Sequence, residues 1–192
     1  MNIQELLVVD FEFTVAPSYG KPRAFFPEII EIGAVVVNPD GILTNKQYNS
    51  FVKPRFWPRI TKECYGITGI KQEDINQGVS LETALYQLKQ MVSTNPYFVA
   101  WGDSDRKVLG TICQRYGIDY PFKWESYIDL AFEYKKFNQR KNLTSLKTAV
   151  EETHQQLKGI CHAALDDAIN TSLVLKHLIS KGWKHEVQAL IA

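Results

Sequence analysis

Apolar residues along this chain fall into two regimes. Early on they come as short unbroken runs: residues 6–10 read LLVVD and residues 29–37 read IIEIGAVVV. Runs of this length, rich in β-branched and aliphatic side chains, predict buried central strands. Between them residues 16–27 contain Gly and Pro and read as a loop. Asn38-Pro-Asp-Gly signals a turn, and residues 46–52 predict a third strand, so the opening third reads as a three-stranded antiparallel meander.

Later the spacing lengthens to that of helices. Leu81, Ala84, Leu85, Leu88, Met91 and Val92 recur at helical intervals behind Ser80, a residue suited to cap them. Residues 97–101 (YFVAW) read as a buried strand after Pro96. A helix follows with Val108, Leu109, Ile112, Cys113 and Tyr116 as its stripe, stopped by Gly117. Residues 126–130 predict a short strand and residues 143–151 a helix. A last helix spans about 163–178 with Leu165, Ala168, Ile169, Ser172, Leu175 and Ile179 on one side. Hairpins first and strand–helix alternation afterwards predict an α/β fold, a mixed sheet with helices on both faces. No repeat, low-complexity tract or linker divides the chain, and the expectation is one domain over residues 1–192.

Composition narrows the class only a little. Lys+Arg (22) against Asp+Glu (21) leaves a net charge of +1, far from the basic excess of a nucleic-acid coat protein. An enzyme that meets a polyanion through bound cations needs no such excess. The cysteines Cys64, Cys113 and Cys161 form no CxxC pair, which predicts reduced thiols in the cytosol rather than a disulfide frame or zinc site. No leader-like n-region and h-region open the sequence, and no apolar run approaches the ~20 residues that span a bilayer.

Acids standing where apolar residues belong carry more information. Asp10 ends the LLVVD run and Glu12 follows two residues on; on an extended chain the two point to the same side. Like charges placed there require a shared cation, a held proton or nearby water. In WGDSDRKVL, helical geometry puts Asp105 in the middle of the inward stripe and Asp103 well off it, as a cap or solvent-facing residue. In CHAALDDA, His162 precedes a helix with Asp166 and Asp167 after it, and periodicity does not choose between these two acids. Cys161 has no partner at a spacing that would make it a nucleophile.

Taken together, Asp10-Phe-Glu12, Asp105 after a strand, and His162 with Asp167 five residues later resemble the DEDD exonuclease superfamily in its histidine-bearing DEDDh (DnaQ-like) branch. FFPEIIEIGAVVV, ITGI, WGDSDRKVL, IDLAFEYKKF and HAALDDA are most similar to the KapD-type bacterial exonucleases and the related histone-message and RNA-interference trimming group. The likeness covers roughly residues 5–180. It implies a ribonuclease-H-like five-stranded mixed sheet flanked by helices, with the site at the carboxyl ends of the central strands. It also selects Asp167 over Asp166. Phe13 departs from the Thr that many proofreading relatives carry after the glutamate.

The resemblance implies a 3′–5′ exonuclease with Asp10, Glu12, Asp105 and Asp167 as ligands of two Mg²⁺ or Mn²⁺ ions. Hard oxygen donors suit these cations. His162, with a reference pKa near ~6.5, is suited to act as general base at neutral pH. The expected substrate is the 3′ end of single-stranded nucleic acid, RNA ahead of DNA, with nucleoside 5′-monophosphates as products. The competing classes are a catalytically silent nucleic-acid-binding regulator and a short-oligonucleotide scavenging phosphodiesterase. Phe13, Phe25 and Phe26 are expected to pack in the core. The acid-free stretch holding Lys135, Lys136, Arg140, Lys141 and Lys147 suits either a solvated face or a phosphate track.

Overall fold

The computed structural model describes residues 5–92 and 96–184. The expectation about a leader falls on residues 1–4, outside that range. A five-stranded sheet in the order β3-β2-β1-β4-β5 forms the frame. Its strands are β1 (Leu6–Phe13), β2 (Ile29–Val37), β3 (Leu43–Phe51), β4 (Tyr97–Ala100) and β5 (Tyr127–Asp129). β1 runs antiparallel to β2, and β2 to β3, which is the expected meander. On the other side β1 is parallel to β4 and β4 to β5. β2 is buried along its entire length, as its unbroken apolar run requires.

Alternation along β1 sorts its side chains between two cores. Leu7, Val9 and Phe11 pack with α3 (Leu81–Gln90) and α4 (Ser104–Tyr116) on one face. Leu6 and Val8 pack with α5 (Leu130–Phe137), α6 (Leu146–Glu152) and α7 (Ala164–Ser180) on the other. Asp10 and Glu12 continue the second series and so emerge on the α7 face. Two short helices, α1 (Lys62–Thr68) and α2 (Gln72–Gln77), close a small satellite core around Ile30, Cys64, Ile70 and Ile75.

The helix starts follow ordinary capping. Ser80 accepts the Thr83 N–H at 3.2 Å, Asp129 accepts that of Phe132 at 2.9 Å, and Ser145 that of Thr148 at 3.2 Å. Gly69 and Gly117 end α1 and α4 in the left-handed conformation.

Several boundaries differ from the sequence pattern. α1, α2 and α5 were not predicted; each spans eight residues or fewer, too little for a period to show. β3 starts at Leu43, not at residue 46, because its half-exposed edge position tolerates polar residues. α6 starts at Leu146 behind the Ser145 cap, leaving Leu143 exposed in the preceding loop. In α7 the buried stripe is Ala164, Ala168, Thr171, Leu175 and Leu178, while Leu165, Ile169 and Ile179 lie at its margin. Polar residues (Asn170, Thr171) occupy buried positions there, so apolarity alone pointed about a quarter turn away.

Candidate active site

The site forms where β4 parts from β1. Pairing between them ends at Val8–Val99, so the N–H groups further along β1 lose their strand partner. Asp105, buried in the first turn of α4, takes over: its Oδ1 accepts the Phe11 N–H at 3.0 Å. Beyond Phe11, β1 continues to Glu12, followed by a register shift before Phe13. Asp103, by contrast, sits at the N-cap and pairs with Arg106 and Lys107 at 2.8 Å each, the solvent-facing role its helical position suggested.

From the opposite face α7 delivers the third group. Gly33 on β2 stands beside Asp10, and a Cβ there would lie 2.0 Å from the Ala164 carbonyl carbon. Glycine thus lets the start of α7 rest directly on the sheet. Glu31, cross-strand from Glu12, accepts the Ala164 N–H at 3.2 Å and anchors the helix end. Asp167 then lies about 60° from the centre of the buried stripe, facing the sheet. Asp166 points away and folds back onto the preceding loop, where it accepts the Ile160 N–H at 2.8 Å.

Glu12, His162 and Asp167 each place a ligand atom within a mutual 4.8 Å. His162 Nδ1 is 4.0 Å from Glu12 Oε1, and the His162 N–H donates to Asp167 Oδ2 at 2.8 Å. Asp10 and Asp105 lie outside this trio but act on it electrostatically. Burial, then the charges of Asp105, Glu12, Asp167 and Glu31, pushes Asp10 well above the ordinary carboxylate range. Burial, then Asp167, Glu31 and Asp105, raises Glu12 to about 8. Burial raises Asp105 to about 7 against the opposing Phe11 hydrogen bond. Asp167 is also raised by burial, with the His162 N–H working the other way.

All five expected positions therefore gather at the carboxyl ends of β1 and β4, the place where an open α/β sheet leaves a crevice. The charges that act most strongly on Asp10 and Glu12 are all carboxylates. Carboxylates raised by burial and mutual repulsion hold protons unless a cation takes their place. The donors are oxygens with one imidazole, a set that fits hard divalent ions.

Sequence reasoning did not find Glu31, Gly33, Asn170 or Glu28. Glu28 is fully buried and accepts the N–H groups of Arg55, Phe56 and Trp57 at 2.6–3.1 Å, plus the Tyr116 hydroxyl. It thereby fixes residues 55–57 beside the loop that follows Glu12. A cleft of about 340 Å³ lies there, lined by Thr14, Phe25, Phe56 and Trp57 among others. Phe26 is buried and Phe13 packs against the core, as expected; Phe25 instead lines this cleft, its ring 5.4 Å from that of Trp57.

A five-stranded mixed sheet of this order, flanked by helices, defines the ribonuclease-H-like fold. The chain belongs to the Exonuclease (RNase_T) family, whose model matches residues 7–175. It is 36% identical to the probable 3′-5′ exonuclease KapD of Bacillus subtilis, over 92% of this chain and 85% of that protein. It is 32% identical to mouse ERI1 exoribonuclease 2, over 92% of this chain but only 29% of that longer protein. The nuclease domain of 3′hExo, a DEDDh family member solved with bound rAMP, superposes with a TM-score of 0.81 at 22% identity over 94% of each chain. The chain is a 3′–5′ exonuclease of this family, which depends on divalent metal ions. Among the described residues no helix is long and apolar enough to cross a membrane.

Proposed function

We propose that this chain removes nucleotides from the 3′ ends of single-stranded nucleic acid, RNA in preference to DNA, and releases nucleoside 5′-monophosphates. The convergence of Glu12, His162 and Asp167 within 4.8 Å carries the reading. Asp10 and Asp105 adjoin this trio in an acidic cluster with raised protonation equilibria. In this reading Asp10, Glu12, Asp105 and Asp167 hold two divalent ions, Mg²⁺ or Mn²⁺. Cations there supply Lewis-acid stabilisation of the charge that develops on phosphodiester oxygens. His162, with an exposed ring at the rim of the cluster, accepts the proton of the attacking water. No covalent enzyme intermediate is involved.

The substrate class rests on relatives. One similar solved structure holds rAMP and another is a 3′-exonuclease recognising a histone mRNA stem-loop. The exoribonuclease name of the mouse relative supports RNA over DNA. We further propose that residues 1–192 form one exonuclease domain and that it works in the cytosol. All three cysteines are free, with Cys161 exposed, which suits a reducing compartment.

The test is degradation of matched, end-labelled RNA and DNA single strands with Mg²⁺ and with EDTA. Shortening from the 3′ end, faster on RNA and abolished by EDTA, is the expected result. Absence of Mg²⁺-dependent shortening would leave a binding regulator. Dinucleotide turnover as fast as that of long strands would leave a scavenging phosphodiesterase.

A further inference from the structure

The segment that carries His162 does not pack itself into place. Residues 158–162 are exposed, Ile160 at 74%. Its backbone is nonetheless specific: Gly159 and His162 both have positive φ, 62° and 64°. Histidine in the left-handed region is unfavourable and persists only where surrounding contacts impose it. The His162 ring is exposed, so its position follows from its backbone.

Three side chains from the first two turns of α7 impose that backbone. Asn170, fully buried, accepts the Lys158 N–H at 2.8 Å and donates Nδ2 to the Lys158 carbonyl at 3.0 Å. Asp166 accepts the Ile160 N–H at 2.8 Å. Asp167 accepts the His162 N–H at 2.8 Å. The clamp therefore grips alternate residues, 158, 160 and 162. Gly159 makes room for it, since a Cβ there would fall 1.9 Å from the Asp166 carboxyl carbon.

We propose that Asp166 and Asn170 are positioning residues for the reaction, holding residues 158–163 so that the His162 ring stays at Glu12 and Asp167. The inference rests on the reading of His162 as the general base. It gives the adjacent aspartates separate tasks. Asp167 faces the sheet and the cluster, while Asp166 faces the loop and never reaches the cations. α7 begins only two residues after His162, and its side chains supply the hydrogen bonds to the backbone of residues 158, 160 and 162.

The experiment combines hydrogen exchange with a double-mutant cycle. The variants are His162→Ala, Asp166→Ala, Asp166→Asn and Asn170→Ala, with both alanine clamp variants also made in the His162→Ala background. His162→Ala should lower kcat by ~10²–10⁴-fold. Asp166→Ala and Asn170→Ala should each lower kcat by ~10²-fold through misplacement of the base, with KM little changed. Asp166→Asn keeps an acceptor for the Ile160 N–H and should recover most of the activity. Amides of Ile160 and His162 should lose exchange protection in the alanine variants while the β1 and β2 amides keep theirs. In the His162→Ala background Asp166→Ala should cost nothing further, because the group it positions is already gone, whereas Asn170→Ala keeps the cost of losing its hydrogen bond to Asp167. An Asp166→Ala cost that adds to that of His162→Ala, or clamp variants as active as wild type beside an impaired His162→Ala, would overturn the clamp and leave the base assignment standing. A fully active His162→Ala would overturn both. Should Asn170→Ala fail to fold, the half-buried Asp166 pair decides the matter.

Discussion

Asp105 Oδ1 accepts the Phe11 N–H at 3.0 Å, the bond β4 would have received had the two strands stayed together. One carboxylate thus finishes a sheet edge and contributes charge to the acidic cluster. The two tasks can be separated. Asp105→Asn preserves the acceptor and removes the charge. At neutral pH it should keep the metal-free protein at least as stable as the wild type and lose hydrolysis. Asp105→Ala also orphans a buried N–H, which costs about 1–3 kcal/mol, so it should lose activity and melt earlier. Thermal scans and a nuclease assay on both variants check this; equal melting of the two would remove the structural half of the claim.

The approach of α7 to β2 sets the position of Asp167 and His162 together. A Cβ at Gly33 would meet the Ala164 carbonyl carbon at 2.0 Å, and a helix backbone cannot yield as a flexible side-chain tip does. Gly33→Ala should therefore push the start of α7 outward. The expected destabilisation is about 1–3 kcal/mol from overpacking, with a disproportionate loss of kcat because the end nearest the cluster moves most. Denaturant unfolding beside single-turnover kinetics would show it. Wild-type kcat in a destabilised variant would mean that the helix start is not what aligns the site.

These two positions also show what was legible in the sequence. Asp10, Glu12 and Asp105 were readable because each interrupts an apolar pattern, and because Asp10 and Glu12 share a face of the same strand; His162 and Asp167 came from the family resemblance. Gly33 and Glu31 carried a signal that went unused: a glycine inside IIEIGAVVV marks a close backbone approach, and Glu31 shares its face. Asn170 and Glu28 left no such trace. Most of their partners are backbone groups, of residues 158 and 55–57, and a hydrogen bond to backbone imposes no side-chain identity on the partner. The α7 stripe was misplaced for a related reason, since buried Asn170 and Thr171 look solvent-facing on apolarity alone. Asp166 and Asp167 could not be separated by periodicity. Their tasks differ only once the loop before α7 is folded back.

Protonation of the cluster makes metal-free stability depend on pH in a defined direction. Glu12 is raised to about 8 and Asp105 to about 7, from ordinary values of 4.5 and 3.8. Below the ordinary values these groups are protonated in both folded and unfolded chains and contribute no slope. Between them and the raised values the unfolded chain ionises while the folded one keeps its protons, so the folded state loses stability as pH rises. The metal-free melting temperature should fall from about pH 4 to about pH 8 through this contribution. Mg²⁺ or Mn²⁺ displaces the protons, so its stabilising effect should grow across the same window and its binding should release protons. Calorimetric titration in buffers of different ionisation enthalpy would count them. A metal effect that is flat from pH 5 to pH 8 would contradict the cluster as the binding site.

The basic stretch around α5 offers a test of how long strands are held. Trp101, which follows β4, donates its indole N–H to the Thr144 carbonyl at 3.1 Å, tying the loop after α5 to the carboxyl edge of the sheet where the acids lie. Arg140 is occupied by Glu152 at 2.6 Å, whereas Lys135, Lys141 and Lys147 form no ion pair among the described residues. Uncompensated cations near an active-site edge attract phosphates beyond the one being cut. Replacing the three lysines by Gln should raise KM for long single strands, leave kcat in place, and leave dinucleotides unaffected. The dependence of log(kcat/KM) on log salt should flatten by about 0.7 for each phosphate contact removed. If the salt slope of the triple variant matches that of the wild type on long strands, these lysines are a solvated face, and the strand runs elsewhere.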